Sequence, residues 1–436
     1  KVDSDLPTCR PGEESITALQ IAVTQGRSVA IAQSLVQHGA NVKVRRANGK
    51  TLLHTVEMVD MVKLLLEQGV DIHATQDNGS TALHEACFMG KMPVVKGLVA
   101  AGADPNCFNH RHMTPLHLSI MEGHVEVVKF LILEADADPY LSGDNGALAL
   151  HMACLAKQKE VAVWLMDECS MKPCLWNHRG YDALHFACKR SPGCRDPLEI
   201  VRELLQRDPN LGKGAPTALH FAAEWSSDLC RLLVQDYGFG LMAESVLGSI
   251  PLSHATRMGS VSTVHCLVDL MQERGQNLNV GDARGLTSLH EAVLGDSLEK
   301  VHALLRRGLD VNAVSKYGET PLHVASLTSE DSRKDKEGEL NEEVNVDNVT
   351  EQQIDILESL INRGAYAVHL DRDRMYPFCY SAKKGGVNKT FLLLRAAASQ
   401  GLFGKSFLNP STAPEQRYKR ELNEDAVSCT KRCRLR

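Results

Sequence analysis

The sequence predicts an all-α repeat solenoid of about 10–11 helix-turn-helix units joined by β-hairpin loops. Three observations carry this. A short phrase, T-x-L-H-x-A, recurs along the chain; its spacing stays close to 33 residues; and each copy but the last two is followed by an apolar helical stretch ending in a variant of LLxxGADxN. The phrase stands as TALQIA at Thr17, TLLHTV at Thr51, TALHEA at Thr81, TPLHLS at Thr114, LALHMA at Leu148, DALHFA at Asp182 and TALHFA at Thr217. It continues as IPLSHA at Ile250, TSLHEA at Thr287, TPLHVA at Thr320 and a degenerate YPFCYS at Tyr376. Successive starts are 34, 30, 33, 34, 34, 35, 33, 37, 33 and 56 residues apart.

Each part of the unit follows from its residues. Thr at the head of the phrase caps the free N–H groups of the first helical turn, and Pro at the next position loses no bond there because that N–H has no intrahelical partner. Leu and Ala then return at helical spacing and point inward. In LVAAGADPN, Gly102 closes the second helix in the left-handed region that side chains avoid, and the polar residues after it open a hairpin turn. One unit cannot bury its apolar face, so units must stack.

This pattern resembles the ankyrin repeat, over roughly residues 15 to 396. The resemblance implies a non-catalytic array with a long concave surface that binds proteins. It divides the chain into an N-terminal flexible segment (1–14), the repeat array (15–396) and a polar, basic tail (397–436), with an acidic loop inserted at 328–353 inside the tenth unit. The second unit, cut to 30 residues, is expected to be kinked or weakly packed.

Composition narrows the function. Hydrophobic residues at 43% and charged residues at 23% are those of an ordinary folded protein, and no run reaches the ~18 apolar residues of a membrane helix. No secretory signal is legible at the N-terminus, which opens at Lys1 rather than Met, so a preceding domain is compatible with the sequence. The net charge of −6 is matched by Ser329 to Gln352 alone, which holds nine acidic and three basic residues. The rest is therefore neutral, and neither nucleic acid nor a membrane is expected as partner. Thirteen cysteines scattered singly among apolar residues read as reduced thiols in the core of a cytoplasmic or nuclear protein.

No chemistry-bearing motif emerges, so no catalytic, cofactor or metal site is assigned and the chain is not expected to be an enzyme. Eight of the eighteen histidines, among them His54, His84, His117, His151 and His185, belong to the repeated phrase. In the family this resembles, that histidine is structural and bonds the adjacent hairpin. His84 and His290 open HExx segments without the second histidine one turn on that a zinc-protease helix needs. The stretch from Cys169 to Cys194 has no CxxC pair, and the glycines at Gly238 lack a phosphate-loop frame.

The family resemblance places partner contacts at hairpin tips and at the seventh and eighth residues after the head of the phrase. Carried onto this sequence, these positions give Phe88, Met89, Phe108, Met113, Met121, Trp176, Tyr181, Lys189, Arg190, Trp225, Arg257 and Met258 as partner-binding residues. Aromatics, Met and Arg are the side chains enriched in interface hot spots. The expected site is a groove over the third to eighth units, taking an extended peptide or helix with apolar anchors and an acidic residue near Lys189 and Arg190. Lys419, Arg420, Lys431, Arg432 and Arg434 resemble a two-part nuclear-import signal, and Leu304, Asp310, Val311 and Asn312 resemble the context in which hairpin asparagines of this family are hydroxylated, with Asn312 the acceptor. The expectation is a monomeric interaction scaffold or adaptor; the alternative is the substrate-receptor subunit of a cullin-type ubiquitin ligase whose box is missing or divergent, and a membrane-skeletal tether stands third.

Overall fold

The computed structural model describes residues 17–25, 28–190, 196–214, 216–326, 350–383 and 387–401. It divides into two compact units, Lys1–Gly214 and Ala215–Arg436.

In the first unit, six antiparallel pairs follow one another. These are α1 (Ala18–Gln25) with α2 (Val29–Gln37), a single 3-10 turn (Leu52–Thr55) with α3 (Val59–Glu67), α4 (Ala82–Phe88) with α5 (Met92–Ala100), and α6 (Pro115–Glu122) with α7 (Val125–Leu133). Then come α8 (Ala149–Leu155) with α9 (Lys159–Asp167) and α10 (Ala183–Cys188) with α11 (Leu198–Arg207). Inner helices pack on inner helices of the next pair, as α4 on α6 and α6 on α8, and outer helices do the same. Leu83, Leu116 and Leu184 from the phrase, with Val95, Leu98 and Leu131 from the outer row, are buried between the rows.

The short second repeat departs from expectation. Its inner helix shrinks to the 3-10 turn, because too few residues remain for a second α-turn. It is nevertheless fully packed: Leu52, Leu53, Val56, Met61 and Leu65 are all buried.

In the second unit the pairs are α12 (Ala218–Ala223) with α13 (Ser227–Arg231), which runs into a π-helical stretch (Leu232–Asp236); α14 (Pro251–Met258) with α15 (Val261–Glu273); and α16 (Ser288–Leu294) with α17 (Leu298–Arg306). α18 (Pro321–Ser326) pairs with α19 (Thr350–Asn362), and α20 (Pro377–Lys383) with α21 (Val387–Ser399). The 37-residue interval after Ile250 is absorbed by α15, which runs 13 residues. Most of the acidic insertion, the N-terminal segment and the C-terminal tail with its five candidate import residues (Lys419, Arg420, Lys431, Arg432, Arg434) lie outside the described residues.

Among the described residues no helix is long and apolar enough to cross a membrane. Cys87, Cys154, Cys188, Cys230 and Cys379 are buried, and burial pushes Cys154 up to about 12, so it packs as a small apolar group.

Candidate interaction groove

Two backbone devices fix where surface side chains point. The first is the phrase histidine. In His54, His84, His220 and His290, Nδ1 accepts the N–H of the threonine heading the same phrase at 3.1–3.2 Å. An acceptor Nδ1 places the proton on Nε2, which donates to the carbonyl of the following hairpin: Ser80 for His54, Met113 for His84, Leu175 for His151, Ser249 for His220, Glu319 for His290 and Met375 for His323. Burial lowers the pKa of all of these that shift, to about 4 for His84, His117, His290 and His323, so they are neutral and structural. The eighth repeat carries its histidine one residue late; His254 stands edge-on to His220 and 3.7 Å from Glu224 instead.

The second device joins successive hairpin tips. Asp77 N–H donates to Asn48 O, His110 to Asn78, His178 to Asn145, Ala283 to Leu247, Lys316 to Arg284 and Arg372 to Tyr317, at 2.8–3.1 Å. Gly79, at φ 78°, shows why glycine sits at these tips: a Cβ there would lie 2.8 Å from His110 N.

In the first unit, tips and inner helices enclose a groove of about 840 Å³. Of the residues expected to contact a partner, Phe88, Met113, Met121, Tyr181 and Lys189 line it. Met89, Phe108, Trp176 and Arg190 belong to the same repeats but do not; Trp176, 64% exposed, stands on a hairpin outside the groove. Tyr181 is half-buried and stacks on His185 at 5.4 Å. In the second unit, Trp225 is half-buried while Met258 is exposed. Arg257 is not a free side chain: Nε and Nη2 donate to the two carboxylate oxygens of buried Glu291 at 3.0 and 2.6 Å, and Arg284 adds 3.2 Å to the same carboxylate and 3.1 Å to buried Asp282.

Among the groove residues that escaped the sequence reading are Glu85, Leu118, Met152 and Phe186. Each is the fourth residue after the head of its phrase. Positions four, seven and eight share one face of a helix, so the same spacing argument that selected Phe88 and Met121 would have added them. The floor is thus Leu118, Met121, Met152, Leu155 and Phe186, with Phe88 at one end.

Lys157 holds one end of this floor. It stands nine residues after Leu148, where the two preceding repeats have Gly90 and Gly123, and keeps their left-handed backbone at φ 57°. Its side chain is 7% exposed, and Nζ donates to the carbonyls of Phe186, Ala187 and Lys189 at 3.1, 2.6 and 2.8 Å. Phe186 O also accepts the Lys189 N–H at 3.3 Å, and the ammonium adds to this bond in capping the end of α10. Burial pulls this amine down to about 8.

Asn312, the expected hydroxylation site, uses both ends of its amide: Nδ2 donates to Gly364 O at 3.1 Å and Oδ1 accepts from Tyr366 N at 2.8 Å. Asn106 braces Asp136 and Asp138 in the same way. Among the described residues no three His, Cys, Asp or Glu side chains are grouped as metal ligands.

The model for ankyrin repeats (three copies) matches residues 55–143 and 252–334. Over 123 residues, 28% of this chain and 26% of the relative, the sequence is 26% identical to Protein VAPYRIN-LIKE of Medicago truncatula. It is 24% identical over 208 residues, 43% of this chain, to the transient receptor potential cation channel subfamily A member 1 of Drosophila melanogaster, covering 17% of that protein. It is 30% identical over 73 residues, 17% of this chain, to the Notch-regulated ankyrin repeat-containing protein A of Danio rerio, covering 65% of it. The chain thus matches less than two thirds of the length of each of these relatives.

Proposed function

Because the chain is an ankyrin-repeat protein, and such repeats generally mediate protein–protein interaction, we propose that it is a non-catalytic adaptor holding a partner protein in the groove of its first unit. The observation that supports this is the uncovered apolar floor. Leu118, Met121, Leu155 and Phe186 are only half-buried although they occupy the middle of a structured surface, and Phe88 is exposed. Contiguous apolar surface ringed by polar tips is what a protein partner covers. In this reading Phe88, Met113, Met121, Tyr181 and Lys189 are direct contacts, Met89, Phe108 and Arg190 contribute at the rim, and Trp176 lies outside the contact.

The test is affinity capture with quantitative mass spectrometry, comparing the unmodified chain with a Met121→Asp/Leu155→Asp variant of matched thermal stability and with Trp176→Ala. Loss of a defined partner set from the double variant alone is the expected result. Retention of that set by the double variant moves the binding surface out of the groove.

A further inference from the structure

The charges lining the groove are unevenly placed. At the end formed by the third and fourth repeats, Glu85 is neutralised by Lys50 at 2.7 Å, whereas Asp77 and Glu122 make no ion pair among the described residues. At the sixth-repeat end, Arg179 gives one N–H to Asn145 Oδ1 at 3.3 Å and meets no carboxylate; Lys189 is exposed and also without an ion pair among the described residues. Arg111 and Asp144, on adjacent tips midway, carry opposite charges and form no ion pair with one another among the described residues. One end is therefore acidic and the other basic, with the apolar floor between them.

The basic end is also the better fixed. Lys157 replaces the glycine seen in the two preceding repeats, accepts a left-handed backbone that side chains disfavour, and anchors the carbonyls of both Phe186 and Lys189. The buried ammonium thus braces the backbone that presents the last apolar anchor and the cation beside it, adding to the bonds of Lys189 N–H to His185 O and Phe186 O.

Resting on the groove reading above, we propose that the partner segment binds in one polarity: basic side chains over the third and fourth repeats, an apolar centre on Met121, Leu155 and Phe186, and acidic side chains against Arg179 and Lys189. The reversed orientation sets like charges against each other at both ends, which discriminates between orientations more than it adds affinity.

The probe is a displayed library of random 20-residue peptides selected on the whole chain. Enriched peptides are expected to carry Lys or Arg, then apolar residues, then Asp or Glu, in one fixed chain direction. An Arg179→Glu/Lys189→Glu variant should bind them at least tenfold more weakly and should itself select basic residues at that end. If this variant binds within twofold of the unmodified chain while Met121→Asp/Leu155→Asp abolishes binding, the polarity is wrong and the groove stands. If Met121→Asp/Leu155→Asp leaves binding unchanged, or nothing enriches above a blank surface, the groove reading falls and the polarity with it. Thermal melts of both variants exclude unfolding as the cause.

Discussion

The ammonium of Lys157 lies 2.6 Å from the carbonyl oxygen of Ala187, one repeat further along the chain. Removing it takes a charged donor from three carbonyls at the end of α10, of which Phe186 O keeps the Lys189 N–H, so Lys157→Ala should lower stability by about 2–4 kcal/mol in denaturant titration. Lys157→Gly loses the same bonds but relieves the left-handed backbone and should be about 1 kcal/mol more stable than the alanine variant. Alanine at unmodified stability would show that water caps those carbonyls equally well.

Acid should weaken the fold through its histidines. His84, His117, His290 and His323 have folded pKa values near 4, below the usual 6.5, so the unfolded chain binds more protons between those limits. Stability contributed by their neutral form is complete above pH 6.5 and falls as pH drops towards 4, by up to about 1.4 kcal/mol per pH unit for each histidine. Melting temperatures measured across this window should decline steeply, and His84→Gln should flatten the slope; an unchanged slope would refute the assignment.

Gly79→Ala forces a side chain into the left-handed region and against His110 N. A loss of about 1–3 kcal/mol is expected in equilibrium unfolding. Gly69 has the same backbone sign, at φ 76°, but no neighbour within 4 Å, so Gly69→Ala should cost only about 1 kcal/mol.

Glu291→Ala leaves Arg257 and Arg284 without the carboxylate they share. Both guanidinium groups reach solvent, so the expected cost is about 1–3 kcal/mol, which chemical unfolding would measure. Arg257→Ala should also destabilise, because it exposes one side of a buried acid. A stability-neutral Arg257→Ala would return that residue to the list of free contact positions.

Leu116 and Leu219 are almost wholly buried, and truncation of either to Ala should cost roughly 2–5 kcal/mol. Trp176→Ala, at a 64% exposed position, should stay within about 0.5 kcal/mol of the unmodified chain in the same measurement.

The repeat frame was legible because its signals are local and repeated: a capping threonine, a histidine three residues later and, in units such as that ending at Gly102, a glycine closing the second helix. The 3-10 turn at Leu52 could be anticipated as a shortening, but its full burial depends on what neighbouring repeats supply, which spacing does not encode. The groove was half legible. Positions seven and eight located Phe88, Met121 and Lys189, while Leu118, Met152 and Phe186 look in the sequence like ordinary core residues beside the histidine. Arg257 had the composition of a contact residue, and only packing shows that Glu291, 34 residues later in sequence, claims it. Lys157 was invisible for the same reason: a lysine after an alanine-rich helix reads as solvated surface until its three carbonyl partners appear.

The histidine bonds also give the array a sense of direction. In His54, His84, His151, His220, His290 and His323, Nδ1 takes its partner from its own repeat and Nε2 hands its proton to the next. Excising the repeat on the C-terminal side deprives a buried ring of the carbonyl its Nε2 donates to, as Met113 is for His84. Excising the N-terminal neighbour frees only a carbonyl, which water can satisfy. Nested deletions of internal repeats should therefore be unequal according to which flank they remove, a one-way dependence like that of tiles each hooked under the edge of the next.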